Sequence, residues 1–89
     1  MKNQPGIYIL RSLKNNSYYI GSTINIENRL KEHNSGRTKF TRHLIPWELK
    51  LFYPMQTIKE ARQLEYKLKK LKSRKIIEKI ILTKQITFK

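Results

Sequence analysis

GIYILRSLKNNSYYIGST, residues 6–23, holds two short runs rich in Ile and Tyr, 6–12 and 18–23, joined by a polar segment. β-Branched and aromatic residues bounded by Asn and Ser favour strands, so the stretch predicts an antiparallel hairpin turning at Lys14-Asn15-Asn16-Ser17. Asn-Asn suits a tight turn because Asn tolerates positive φ. With Asn15 and Asn16 as the loop, Ser12 faces Tyr19, Leu10 faces Gly21 and Tyr8 faces Thr23. Both tyrosines then share one face of the sheet, about 13 Å apart along the strands. A slip of one residue would send them to opposite faces.

Working outward, Asn25 is positioned to cap a helix running to about Asn34, with Gly36 as its terminator. Arg29 and His33 border the apolar stripe of that helix, beside Ile26 and Leu30. Residues 37–43, RTKFTRH, form a basic loop enclosing one aromatic. Trp47 to Tyr53 alternates as Trp47, Leu49, Leu51, Tyr53 against Glu48, Lys50, Phe52 and predicts a third strand. Thr57-Ile58-Lys59-Glu60 is a capping box opening a helix to about Lys72. In that helix Glu65 falls inside the apolar arc formed by Ile58, Ala61, Leu64, Leu68 and Leu71. A carboxylate there needs a cation, a metal or several donors, or else a partly exposed position paired with Lys69 one turn on. Ser73 can cap a last helix carrying Ile76, Ile77, Ile80 and Ile81, and the final TKQITFK has no assignment.

Composition narrows the function. Twenty Lys and Arg against six acids give the 89 residues a formal charge of +14, far beyond what solubility needs, so a polyanion is the expected partner. Nucleic acid fits better than a membrane surface, because a chain that can bury only about 60–65% of its unfolded surface needs its apolar helix faces for its own core. With no cysteine there is no disulfide framework. No secretory signal or membrane-length apolar run is present, so a soluble cytoplasmic protein and one domain over 1–89 are the expectations. All six acids are Glu, at 27, 32, 48, 60, 65 and 78. Two-metal nucleases gather several carboxylates, which makes one ion on one carboxylate the expectation for any metal chemistry here.

Hydrolysis of a phosphodiester needs a base for water, a cation on the non-bridging oxygens and help for the leaving oxygen. Tyr8 and Tyr19 could polarise water, Arg29 offers a fixed cationic fork for phosphate, Glu65 could bind Mg²⁺, and His33 could bond phosphate or relay a proton. Taken singly, each also has a plain structural role: strand tyrosines pack, helix arginines are solvated, and a His beside an apolar stripe is often a hydrogen-bonded core residue.

The ordered set resembles the GIY-YIG endonuclease superfamily. Gly6-Ile7-Tyr8 and Tyr19-Ile20-Gly21 stand ten residues apart, Ser22-Thr23 follow, Arg29 and His33 lie in RLKEH as in small stand-alone bacterial members, and Glu65 lies in EARQLEYKLK. The likeness spans roughly residues 6–72. It implies an α+β fold, a three-stranded antiparallel sheet flanked by helices, and hydrolysis of DNA with one Mg²⁺ or Mn²⁺. By position Glu65 would be the metal ligand, Arg29 the phosphate and transition-state stabiliser, His33 a supporting catalytic residue, and Tyr8 and Tyr19 the pair acting on water, with Tyr8 favoured as base. Many relatives add DNA-recognition domains, for which 89 residues leave no room. Contacts to DNA, branched or single-stranded by expectation, then fall to Arg37, Lys39, Phe40, Thr41 and Arg42 of the loop, to Lys67, Lys69 and Lys70 of the helix, or to a protein partner. A late Asn found in some members has no counterpart, since none follows Asn34. The rival reading is a nucleic-acid-binding module that cleaves little and acts with a partner, Phe40 stacking on an unpaired base.

Overall fold

The computed structural model describes residues 3–86, so part of the unassigned TKQITFK lies outside the described residues. The elements are β1 (Gly6–Ser12), β2 (Tyr18–Thr23), α1 (Ile26–Asn34), a short 3₁₀ turn (Arg42–Leu44), β3 (Trp47–Pro54), α2 (Ile58–Leu71) and α3 (Arg74–Thr83). The strands form one antiparallel sheet in the order β2-β1-β3, flanked by the helices as expected.

Local chemistry sets the helix boundaries. Asn25, Thr57 and Ser73 are the three N-caps, each side chain accepting from the backbone N–H three residues on. Gly36, at φ 83°, lies just past the end of α1, where the left-handed conformation costs a glycine nothing. No helix among the described residues is long and apolar enough to cross a membrane.

Two details depart from the sequence reading. The hairpin is shifted by two residues: Tyr8 pairs with Gly21, Leu10 with Tyr19 and Arg11 with Tyr18. The turn is longer than Asn15-Asn16 because Ser12 organises it. The Ser12 N–H donates to Ser17 O at 2.8 Å, and Ser12 Oγ accepts from the N–H groups of Lys14 and Asn15 at 3.1 and 3.3 Å. Since the slip is even, the tyrosines keep their common face, and their stagger is halved to two residues. The other departure is in β3. Its register jumps between Ile9–Leu51 and Leu10–Leu49, which leaves Lys50 as a bulge. Trp47 therefore packs with Tyr8 and Leu10, whereas Leu51 packs with Ile7 and Ile9 on the other face. The simple alternation from Trp47 to Tyr53 is broken there.

Both faces of the sheet are covered. On one, Ile7, Ile9, Ile20 and Leu51 bury against Ala61 and Leu68 of α2 and Ile80 of α3. On the other, Tyr8, Leu10 and Trp47 pack with Tyr19, Ile26, Leu30 and Phe52. Burial of each such side chain contributes about 1.5–3 kcal/mol.

Candidate active site

Gly21 explains the position of Tyr8. A Cβ at residue 21 would run into the Tyr8 ring and its hydroxyl, so the missing side chain lets the phenol lie across β2. Tyr8 is 1% exposed, and α1 delivers two residues to its oxygen from successive turns. Arg29 Nε donates to it at 3.1 Å, and it lies 2.9 Å from His33 Nε2. Arginine can only donate, so the Tyr8 hydroxyl proton points to Nε2, and the neutral ring carries its own proton on Nδ1, which donates to Thr41 Oγ1 at 2.8 Å. This assignment of the tautomer follows from the network.

The electrostatics agree. Burial, and after it the Arg29 charge, pull His33 from 6.5 down to about 4, so it is neutral at pH 7. Burial pushes the Tyr8 phenol up to about 12 despite the opposing hydrogen bond and charge of Arg29. Burial alone would lower the Arg29 pKa, but its hydrogen bonds to Tyr8 and Glu32 outweigh that and raise it. Arg29 is thus a permanent cation. Nε faces Tyr8, Nη1 meets Glu32 at 3.1 Å, and Nη2 has no protein partner among the described residues.

Thr41 corrects one sequence expectation. Grouped with the loop as a nucleic-acid contact, it is instead 1% exposed and turned inward to His33. Trp47 Nε1 donates to its carbonyl at 2.9 Å, and Asn34 clamps the Trp47 backbone through bonds of 2.6 and 3.1 Å. A threonine in a basic loop carries no sequence signal for this role. Its neighbours Arg37, Lys39 and Arg42 are exposed, and Phe40 is 86% exposed.

Tyr19 packs its ring among Tyr8, His33 and Trp47, with centroids 6.2, 5.0 and 6.2 Å away. It is only half-buried, and its hydroxyl is neither sealed from solvent nor bonded to another described residue. Of the two phenols it is the one open to water.

Glu65 reaches the same strand from the opposite face of the sheet. Ser22 Oγ donates to its Oε1 at 2.6 Å, and Lys69 Nζ meets Oε2 at 2.7 Å. The Lys69 ammonium also lies 5.4 Å from the centre of the Tyr19 ring. The sequence offered a buried carboxylate meeting donors or a pair with Lys69, and both descriptions hold: the side chain is 19% exposed and does each. In the sequence Ser22 stands only as part of the family resemblance, with no role assigned to it. Among the described residues no group of three or more His, Cys, Asp or Glu side chains is placed to hold a metal ion. A single carboxylate such as Glu65 would suit a hard ion that completes its shell with water and phosphate oxygens.

On the outer side of α2, Lys67 and Lys70 are exposed, Lys70 lying over the Tyr66 ring at 5.7 Å. The structure thus gathers Tyr8, Tyr19, Arg29, His33, Glu65 and Lys69 around β2, and leaves the loop cations, Lys67 and Lys70 outside that group.

Comparison with known proteins points the same way. Residues 4–79 match the model of the GIY-YIG catalytic domain. A UPF0213 protein of Bacillus licheniformis is 44% identical over 84 residues, covering 93% of this chain and 84% of the relative. Similar are a UPF0213 protein of Clostridium perfringens, 42% identical over 73% of this chain and 70% of its own, and UPF0213 protein YazA of Bacillus subtilis, 38% identical over 82% and 74%. No solved structure matches the chain.

Proposed function

The chain belongs to the GIY-YIG catalytic-domain family, whose function is of the nuclease type, and from that premise we propose that it is a metal-dependent endonuclease cleaving DNA phosphodiester bonds. The observation that carries this reading is the meeting at β2 of a fixed guanidinium, a water-accessible phenol and the largely buried Glu65 carboxylate. Branched or single-stranded DNA is the substrate class, and a protein partner can add specificity.

In this reading the free Nη2 edge of Arg29 binds a non-bridging phosphate oxygen and stabilises the charge that grows there. Tyr8 and His33 hold the guanidinium at its angle. The sequence favoured Tyr8 as base, but its sealed hydroxyl, committed to Arg29 and His33 and pushed up to about 12, suits a positioning role. Tyr19, open to solvent, orients the attacking water. Glu65 would hold the divalent ion, which when bound supplies Lewis acidity to the scissile phosphate. Exposed Arg37, Lys39, Arg42, Lys67 and Lys70 hold the DNA backbone, and Phe40 stacks on an unpaired base.

The test incubates the protein with plasmid, single-stranded and branched DNA, with and without Mg²⁺. Arg29→Ala and Glu65→Gln should each lower metal-dependent nicking by about 10²–10³-fold while salt-sensitive binding persists. Tyr19→Phe should lower the rate more than it weakens binding. Binding without cleavage on every substrate would favour the non-cleaving module, for which the exposure of Phe40 is the supporting observation.

A further inference from the structure

Both oxygens of the Glu65 carboxylate are already taken by the protein, Oε1 by Ser22 and Oε2 by Lys69. Lys69 is unlike the other lysines at this end of α2. Lys67 and Lys70 have no carboxylate partner among the described residues, whereas Lys69 touches Glu65 and the face of Tyr19 together. A cation at that point serves two masters.

We propose that Lys69 is a positioning residue that holds Glu65 in the free protein and moves onto a substrate phosphate when a divalent ion takes Oε2, so that ion loading and DNA binding are coupled. This rests on the reading of Glu65 as the metal ligand. An ion on Oε2 would sit about 2.1 Å from it. With the ammonium 2.7 Å from the same oxygen, the two cations would be no more than about 5 Å apart. Like charges repel strongly at that separation unless an anion lies between them. A phosphate is such an anion. The Lys69 side chain, 47% exposed, is free to swing towards one, and its contact with Tyr19 keeps it on the side where Tyr19 meets solvent. Binding linkage is reciprocal, so the ion should tighten DNA binding by the same factor that DNA tightens ion binding.

Calorimetric titration with Mn²⁺ tests this without reading activity, on the free protein and on its complex with a slowly hydrolysed phosphorothioate oligonucleotide, after subtracting binding to the oligonucleotide alone. Lys69→Met should bind Mn²⁺ about tenfold more tightly than wild type in the free protein and gain less from the oligonucleotide. Lys69→Gln should behave like Lys69→Met, and Lys69→Arg like wild type. Glu65→Gln should lose the site. If Glu65→Gln abolishes binding while Lys69→Met and Lys69→Gln, folded by circular dichroism, match wild type with and without oligonucleotide, the role of Lys69 is overturned and the ligand reading stands. If Glu65→Gln binds Mn²⁺ as wild type does, the ligand reading falls and the coupling with it.

Discussion

The two faces of the sheet are built on different principles. Towards α2 and α3, the buried core is aliphatic, made of Ile7, Ile9, Ile20, Leu51, Ala61, Leu68 and Ile80, with Arg11 Nε and the Glu65–Ser22 bond as the polar groups beside it. Towards α1, Tyr8, Leu10 and Trp47 share the interior with fully or almost fully buried Ser12, His33 and Thr41. The aliphatic face needs only volume and exclusion of water, and it tolerates swaps that conserve both. The polar face needs every donor matched, because a buried group left unpaired costs about 1–3 kcal/mol. It is matched along a line from Arg29 through Tyr8 and His33 to Thr41. The first face supplies most of the aliphatic burial, with Glu65 at its rim, and the second fixes the geometry around Tyr8.

The sharpest way to break this division is on the aliphatic face. Ile9→Ala, at a site with no exposure, should cost about 2–5 kcal/mol in urea unfolding. The folded fraction should keep its late-titrating tyrosine, and loss of that signal would mean the faces are not independent.

Next in size is the pH dependence of the polar face. His33 binds its proton at about 4 when folded against 6.5 when exposed, so the unfolded chain takes up more protons between those values. Stability is fully present above pH 6.5 and falls by roughly 3 kcal/mol as pH drops to 4. His33→Gln should flatten that part of the stability curve. An unchanged slope would show that other groups dominate it.

The smallest effect concerns Gly21. Gly21→Ala should cost about 1–3 kcal/mol, because the new methyl displaces the Tyr8 ring. Ultraviolet titration reads the displacement: of five tyrosines, the one raised to about 12 should move back towards 10. A variant that keeps the late titration would show that the ring needs no room at residue 21.

What could be read from the sequence was mostly local or periodic. The caps at Asn25, Thr57 and Ser73 involve bonds spanning three residues, so each was visible in its own window. Glu65 stood out because an acid broke an apolar arc. The hairpin register was missed by two because Ser12, outside the apparent turn, ties the loop together. The bulge at Lys50 leaves no trace in composition, since Lys is ordinary on a half-exposed strand. Thr41 and Ser22 owe their roles to partners 8 and 43 residues away, and no window around a small hydroxyl residue contains that information.

Because β2 is an edge strand of the sheet, groups from above and below it can approach one another around a rim. Nothing in such an arrangement has to open for a polymer to enter. On the proposed nuclease function, a long chain would be gripped at an internal point without threading an end, and cutting within a strand would be favoured over trimming from its terminus.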